Sequence, residues 1–176
     1  GTATTGDDFW YISSSHAGSG FGPGTVFYGK FNADAGWRVT DGLQFVDGAN
    51  DWKHVAVTVT KNAGSDTSII HYTDGDAVAM QSAGGGISDT NHGLYTSTVN
   101  FQIGASAFGT NYNLTAQMNE VALWDKTLSA TEIATIHDYG NVTVDLTSNN
   151  VGYTSSANLA GYWKMNESTG TVAYDS

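Results

Sequence analysis

An all-β domain carrying one short helix is the fold class this sequence predicts, and three observations predict it. Many short β-rich runs are separated by Gly-rich turns, with 22 Gly and a single Pro in 176 residues. Asp-Gly stands between two strand-like runs at Asp74-Gly75, the dipeptide of a tight hairpin. Only one stretch carries a full set of helix signals. There Ser129 and Glu132 stand at capping-box spacing, followed by Ile133 and Ile136 and then Gly140, which predicts a helix over residues 129–139 ended by a left-handed Gly. At 40% hydrophobic residues the chain is long enough to bury a core of sandwich size.

The elements follow in order. Residues 8–15 (Asp8-Phe9-Trp10-Tyr11-Ile12-Ser13) read as the first strand, and residues 16–24 as a Gly/Ser loop holding Pro23. Thr25–Lys30 and Gly36–Thr40 are the next strands, with a turn over residues 32–35. After the Asp41-Gly42 turn comes Leu43–Val46, then the polar loop Asp47–Asp51. His54–Thr60 is the clearest strand, with Val55, Val57 and Val59 on one face and His54, Ala56 and Thr58 on the other. Ser68–Thr73 and Asp76–Met80 flank Asp74-Gly75, where a type I′ turn needs positive φ at both central residues. Residues 82–97 read as a long polar loop, and Val99–Gly104 and Gln117–Trp124 as the last strands, Val121 and Leu123 alternating with Glu120, Ala122 and Trp124.

Charge and cysteine content bound the function. The net charge of −11, with only six basic residues, leaves no patch to neutralise a phosphate backbone or an anionic bilayer, so no nucleic acid and no membrane insertion are expected. An acidic surface suits divalent cations and salty surroundings. The absence of cysteine excludes disulfides and thiolate metal sites, and favours a bacterial or viral source for a secreted domain. No apolar run approaches a membrane span, and no signal peptide opens the sequence. The opening Gly1-Thr2-Ala3-Thr4-Thr5 reads as the interior of a longer protein.

Several segments together resemble one family. Asn119-Glu120-Val121, Leu123-Trp124 and Leu128-Ser129 resemble the terminal motif of laminin-G-like and pentraxin-like domains, a branch of the concanavalin A-like lectin/glucanase superfamily. Trp52-Lys53-His54-Val55-Ala56-Val57-Thr58 resembles its central strand, Tyr72-Thr73-Asp74-Gly75 its hairpin, and Phe101-Gln102-Ile103-Gly104 its Ile-Gly strand. The resemblance covers roughly residues 8–140 and implies a two-sheet antiparallel jelly-roll β-sandwich, with Trp10, Trp52 and Trp124 more often core than surface. Residues 1–158 are then the sandwich. The segment 159–176, with its Gly161-Tyr162-Trp163 and Ala173-Tyr174-Asp175-Ser176 phrases, looks like the opening of such a domain rather than its end. It is expected to fold back in cis, to start a next repeat, or to be donated to a neighbour, because an unpaired strand edge invites pairing.

The superfamily includes glucanases, so catalysis has to be weighed. A retaining glycosidase needs two carboxylates about 5 Å apart. The three glutamates, Glu120, Glu132 and Glu167, form no Glu-x-Asp-x-x-Glu motif, Glu132 reads as a cap, and no nucleophile elbow exists, so no catalytic residues are expected. Calcium is the expected cofactor, since Asp- and Asn-rich loops offer hard oxygen donors. The resemblance places its ligands at Asn119 and Glu120, with Asn where the family commonly has Asp, joined by Asp175 if the tail folds back. Against this stands a plain polar turn with a solvated acid. Asp47, Asn50 and Asp51 form a second acidic cluster, better read as an Asx turn.

For sugar binding, aromatic faces stack on pyranose rings while amides fix hydroxyls. Trp37, Asn91, His92 and Tyr95 are the candidate ligand-binding residues, Tyr95 being the aromatic most expected to be exposed. The histidines at 16, 54, 71, 92 and 137 lack zinc-site spacing, and the sequons at Asn113, Asn141 and Asn166 read as chance. The function the resemblance implies is a non-catalytic recognition or adhesion module, binding a glycan or cell-surface polysaccharide, in a bacterial surface, phage fibre or capsid-decoration protein. The alternatives are a structural subunit held by contacts with its neighbours, and a glycan-cleaving enzyme.

Overall fold

A computed structural model describes residues 9–14, 25–31, 34–40, 52–61, 67–78, 80–85, 103–104, 117–139, 145–167 and 173–176. The chain divides into two compact units, Gly1–Phe101 and Gln102–Ser176. Every strand pairing among the described residues is antiparallel.

The described residues of the first unit form two sheets. In one, β1 (Phe9–Ser14), β2 (Thr25–Phe31), β3 (Asp34–Thr40) and β7 (Met80–Gly85) lie in the order β1-β2-β3-β7. In the other, β4 (Val55–Lys61), β5 (Thr67–Thr73) and β6 (Asp76–Val78) follow one another. The expected run Asp76–Met80 is therefore divided: Val78 pairs with His71, whereas Met80 pairs with Thr40 in the other sheet. The first residues of the expected 82–97 loop belong to a strand, because β7 pairs with β3 through Gly85, with a register shift between Val39 and Thr40. The β2–β3 turn is also tighter than expected, since Phe31 already pairs with Asp34.

Asp74 and Gly75 both adopt positive φ, 50° and 85°, as the primed turn requires. The turn also secures the entry to β4. The Asp74 amide donates to the His54 carbonyl at 2.9 Å. Its carboxylate accepts from the His54 amide at 3.1 Å and from Lys53 Nζ at 2.8 Å. Trp52, expected in the core, is 62% exposed. The strand begins only at Val55, so Trp52 precedes the pleat that would have turned it inward.

The simple alternation expected along β4 does not hold. Thr58 is buried while Val57 and Val59 are partly buried, and on β5 the consecutive residues His71, Tyr72 and Thr73 are all buried, so side chains on both faces of β5 are shielded over that stretch. His71 lies in register between Val57 and Val78 and is 2% exposed. Burial pushes its imidazole down from 6.5 to about 4, because an apolar site disfavours the charged ring.

The second unit contains β8 (Val121–Trp124), α1 (Ala130–Asp138) and β9 (Leu159–Trp163). β8 starts later than expected, because Glu120 has φ of +54° and interrupts the extended backbone. All four β8 residues are half-buried rather than alternating. The helix matches the expected span, with Ser129 as N-cap and the reciprocal Ser129–Glu132 capping box formed, and it buries Ile133. Tyr139 caps its C-terminus; Gly140 lies outside the described residues.

A tight hairpin over residues 150–153 follows, closed by Asn150–Tyr153 backbone bonds of 2.8 and 3.2 Å. Gly152 sits at φ +92°, and a Cβ there would collide with the Thr135 hydroxyl on α1. A 3-10 turn (Ser156–Asn158) then leads into β9, which runs antiparallel to β8 with Val121 opposite Trp163 and Ala122 opposite Tyr162. The core of this unit is Leu146, Tyr153 and Tyr162, with Ala122, Trp124, Ile136 and Leu159 packed on it.

Two predictions follow from these packings. Gly152→Ala is expected to lose about 2–3 kcal/mol in urea denaturation, the sum of left-handed backbone strain and the Thr135 collision. Adding Thr135→Ala should restore the steric part and leave about 1 kcal/mol. His71, neutral when folded down to about pH 4 but protonated near 6.5 when unfolded, makes its full contribution above pH 6.5 and loses it as pH falls to about 4. Its NMR ring signals should therefore titrate near pH 4, and the stability lost by the wild type over that window, about 2–3 kcal/mol more than by His71→Gln, measures the effect.

Candidate functional site

The best-defined polar constellation of the described residues surrounds two side chains of the second unit, Glu132 and Tyr162. Glu132 is on the first turn of α1, 6% exposed. Its Oε2 accepts from the Ser129 amide at 3.0 Å and the Ser129 hydroxyl at 2.9 Å. Its Oε1 accepts from the Ser155 hydroxyl at 2.5 Å and from the Thr154 amide and hydroxyl, each at 3.3 Å. Lys126 Nζ donates to the fully buried Ser155 Oγ at 2.8 Å. Burial alone would raise the Glu132 pKa. The hydrogen bonds from Ser155, Ser129 and Thr154 outweigh it and hold the carboxyl at about 2.

Tyr162 lies at the centre of β9 and is 1% exposed. Its hydroxyl donates to Glu120 Oε2, and its backbone amide donates to Asp175 Oδ1 at 2.7 Å. Burial, then the Glu120 hydrogen bond and negative charge, push the phenol well above its ordinary value, so it remains a proton donor. Lys164 Nζ stands 5.3 Å from the centre of the Tyr162 ring. Asp175 also bridges Trp163, and the Ser176 amide donates to the Tyr162 carbonyl at 2.9 Å.

Asn119, Glu120 and Asp175, the expected metal ligands, are all exposed. Glu120 and Asp175 meet the same residue, one at its phenol and the other at its amide. Among the described residues no group of three or more His, Asp or Glu side chains is placed to hold a metal ion. Of the expected sugar-binding residues, Trp37 lies on β3, opposite Tyr28 and Gly84. Asn91, His92 and Tyr95 lie outside the described residues, as does the acidic cluster Asp47, Asn50 and Asp51.

Sequence reasoning anticipated Glu132 only as a cap. It missed Thr154 and Ser155 as its second set of donors, although a Thr-Ser-Ser run beside a Gly hairpin is a recognisable source of hydroxyls. It also missed Tyr153, whose hydroxyl accepts from Trp124 Nε1 at 2.9 Å and donates to the Leu146 carbonyl at 3.0 Å.

A laminin G-type family model, described as the concanavalin A-like lectin/glucanases superfamily, matches residues 3–134. The chain belongs to this superfamily. No curated protein and no solved structure matches the chain.

Glu132 stabilises the fold fully above its unfolded value of 4.5, and this contribution is lost as pH falls through about 2. Glu132→Gln is accordingly expected to lose about 3 kcal/mol at pH 7. The gap to the wild type should narrow as urea denaturation is repeated from pH 4.5 downward.

Proposed function

We propose that the chain is a non-catalytic recognition or adhesion module that binds carbohydrate, within a larger extracellular, cell-surface or virion protein. Membership of the concanavalin A-like superfamily is the observation that carries this reading. It also supports the finer architecture, a two-sheet jelly-roll sandwich. Among the described residues no helix is long and apolar enough to cross a membrane.

The chemistry of the glutamates supports a binding rather than a hydrolytic role. A glycosidase acid needs a carboxyl whose pKa is raised. Glu132 is held in the opposite direction and surrounded by donors that keep it ionised. Glu120 is engaged by the Tyr162 phenol, and none of the three glutamates lies in a paired-acid motif. Sugar contact is assigned to Trp37, Asn91, His92 and Tyr95, with stacking on the aromatic faces. Calcium is the proposed cation, at Asn119, Glu120 and Asp175. These are exposed oxygen donors of the right hardness, and each carboxylate commits one oxygen to Tyr162. The pairing of the far segment β9 with β8 of the same chain supports the recognition reading over the alternative, a structural subunit of a virion or extracellular assembly held by contacts with its neighbours.

One experiment addresses the first reading. The purified chain is applied to a broad glycan panel with calcium or with chelator, and reducing ends are assayed in parallel. The expected result is binding to at least one glycan class, weakened about tenfold by Tyr95→Ala or Trp37→Ala, with no reducing ends released. Failure to bind any glycan in either condition removes the carbohydrate reading, and reducing-end release removes the non-catalytic one.

A further inference from the structure

The turn that joins β5 to β6 is an Asp-Gly peptide, Asp74-Gly75. In such a dipeptide the main chain can attack its own side chain with little hindrance, because the glycine has no Cβ to shield its amide. The glycine nitrogen bonds to the aspartate Cγ, the amide proton and the carboxyl OH leave together as water, and a five-membered succinimide closes. Water then opens the ring. Opening at the main-chain carbonyl leaves the chain running through the former side-chain carboxyl, as isoaspartate. One water leaves and one returns, so no oxidant, reductant or cofactor is needed.

The structure opposes each part of this step at Asp74. One carboxyl oxygen has to leave, and both are engaged: Oδ1 accepts from the His54 amide at 3.1 Å and Oδ2 from Lys53 Nζ at 2.8 Å. Closing the ring rotates Asp74 out of the primed-turn backbone, where its φ is 50° and its amide is tied to the His54 carbonyl at 2.9 Å. The attacking nitrogen belongs to Gly75, which is buried, so the group that must lose a proton is shielded from water. The Lys53 bond is the weaker tie. The two side chains are 35% and 36% exposed, and the ammonium rides on a flexible stem.

Conversion would rebuild the turn. Isoaspartate adds one carbon to the main chain between residues 74 and 75, and a two-residue primed turn has no place for it. β6 is three residues long and pairs with β5 only as Thr73–Asp76, Tyr72–Ala77 and His71–Val78. A register error at the first pair therefore reaches the whole strand.

We propose that Asp74-Gly75 is an isoaspartate-forming site held in check by the clamp of Lys53 and His54, so that loss of the clamp starts a slow covalent ageing of the β5–β6 hairpin. The ion pair then controls the rate of a chemical step, beyond the small stability an exposed pair supplies. The proposal is independent of carbohydrate binding.

The full-length wild type is compared with Lys53→Met, which keeps the alkyl stem and removes the ammonium, and with Lys53→Arg, which keeps a cationic donor. Each is incubated at neutral pH and body temperature in water labelled with heavy oxygen, the wild type also in urea. Peptides are then sequenced by electron-transfer fragmentation, which separates isoaspartate from aspartate, and uptake of the label marks passage through the succinimide. Asp41-Gly42 and Asp47-Gly48, the other Asp-Gly peptides of the sequence, serve as references in the same digest. At Asp74 the folded wild type is expected to convert at least about tenfold more slowly than the unfolded chain. Lys53→Met should convert there about two- to fivefold faster than the wild type, with both reference sites unchanged, and Lys53→Arg at the wild-type rate.

Equal rates at Asp74 in folded and unfolded wild type overturn the proposal, as does absence of conversion there in urea. A Lys53→Met rate equal to that of the wild type also overturns it. So does an equal rise at all three Asp-Gly sites, which reports general loosening rather than release of the clamp.

Discussion

The second unit depends on one buried anion. The Glu132 carboxylate gathers donors from its own helix start and from the Thr154-Ser155 pair more than twenty residues later in the chain. An ionised group out of water is tolerable only when its lone pairs are occupied. The requirement therefore acts on the chain twice. It fixes where α1 begins, through Ser129, and it fixes where the returning segment lies, through Ser155. Lys126 donates to Ser155 from the β8–α1 connection, so the hydroxyl between the two charges is oriented by both. Once Thr154 and Ser155 are positioned, Tyr153 is carried against Trp124, with ring centroids 6.4 Å apart and planes at 75°. The strand that follows is then aimed at β8.

The polar contacts of this unit also order its aromatic core. Tyr153 and Tyr162 are almost fully buried, yet both hydroxyls have partners, the Leu146 carbonyl for one and Glu120 for the other. Burying a phenol without such a partner would set the hydroxyl's desolvation against the gain from its ring. The positive φ of Glu120 belongs to this arrangement, since it ends the extended backbone just where its carboxylate meets the Tyr162 phenol.

Local signals in the sequence were read well where the physics is local. The capping box announced α1 to within a residue, and Asp74-Gly75 announced a turn with both φ values positive. What the sequence concealed was set by distant partners. Nothing near Asp76 indicates that the chain leaves one sheet at Val78 and enters another at Met80, because that depends on β3. The exposure of Trp52 was hidden for the same reason, since a strand motif does not specify at which residue pairing begins. In the candidate site, Glu120 and Asp175 were named from their motifs, but Tyr162, which both of them engage, belongs to a segment whose destination no local pattern specifies.

Gly161 illustrates how a site with no functional group can still be closed to variation. A Cβ at this position would lie 2.5 Å from Cη2 and 2.9 Å from Cζ3 of Trp163, because the indole folds back over the backbone two residues before it. The obstacle is a rigid ring rather than the tip of a flexible chain, and the glycine itself is buried, so any side chain there must displace the half-buried indole. In a saturation-mutagenesis library of β9, position 161 would tolerate almost no replacement while the exposed Ala160 beside it accepted many. The Gly-Tyr-Trp phrase is thus a steric unit: the ring sets the identity of the residue that precedes it by two, and neither can drift without the other.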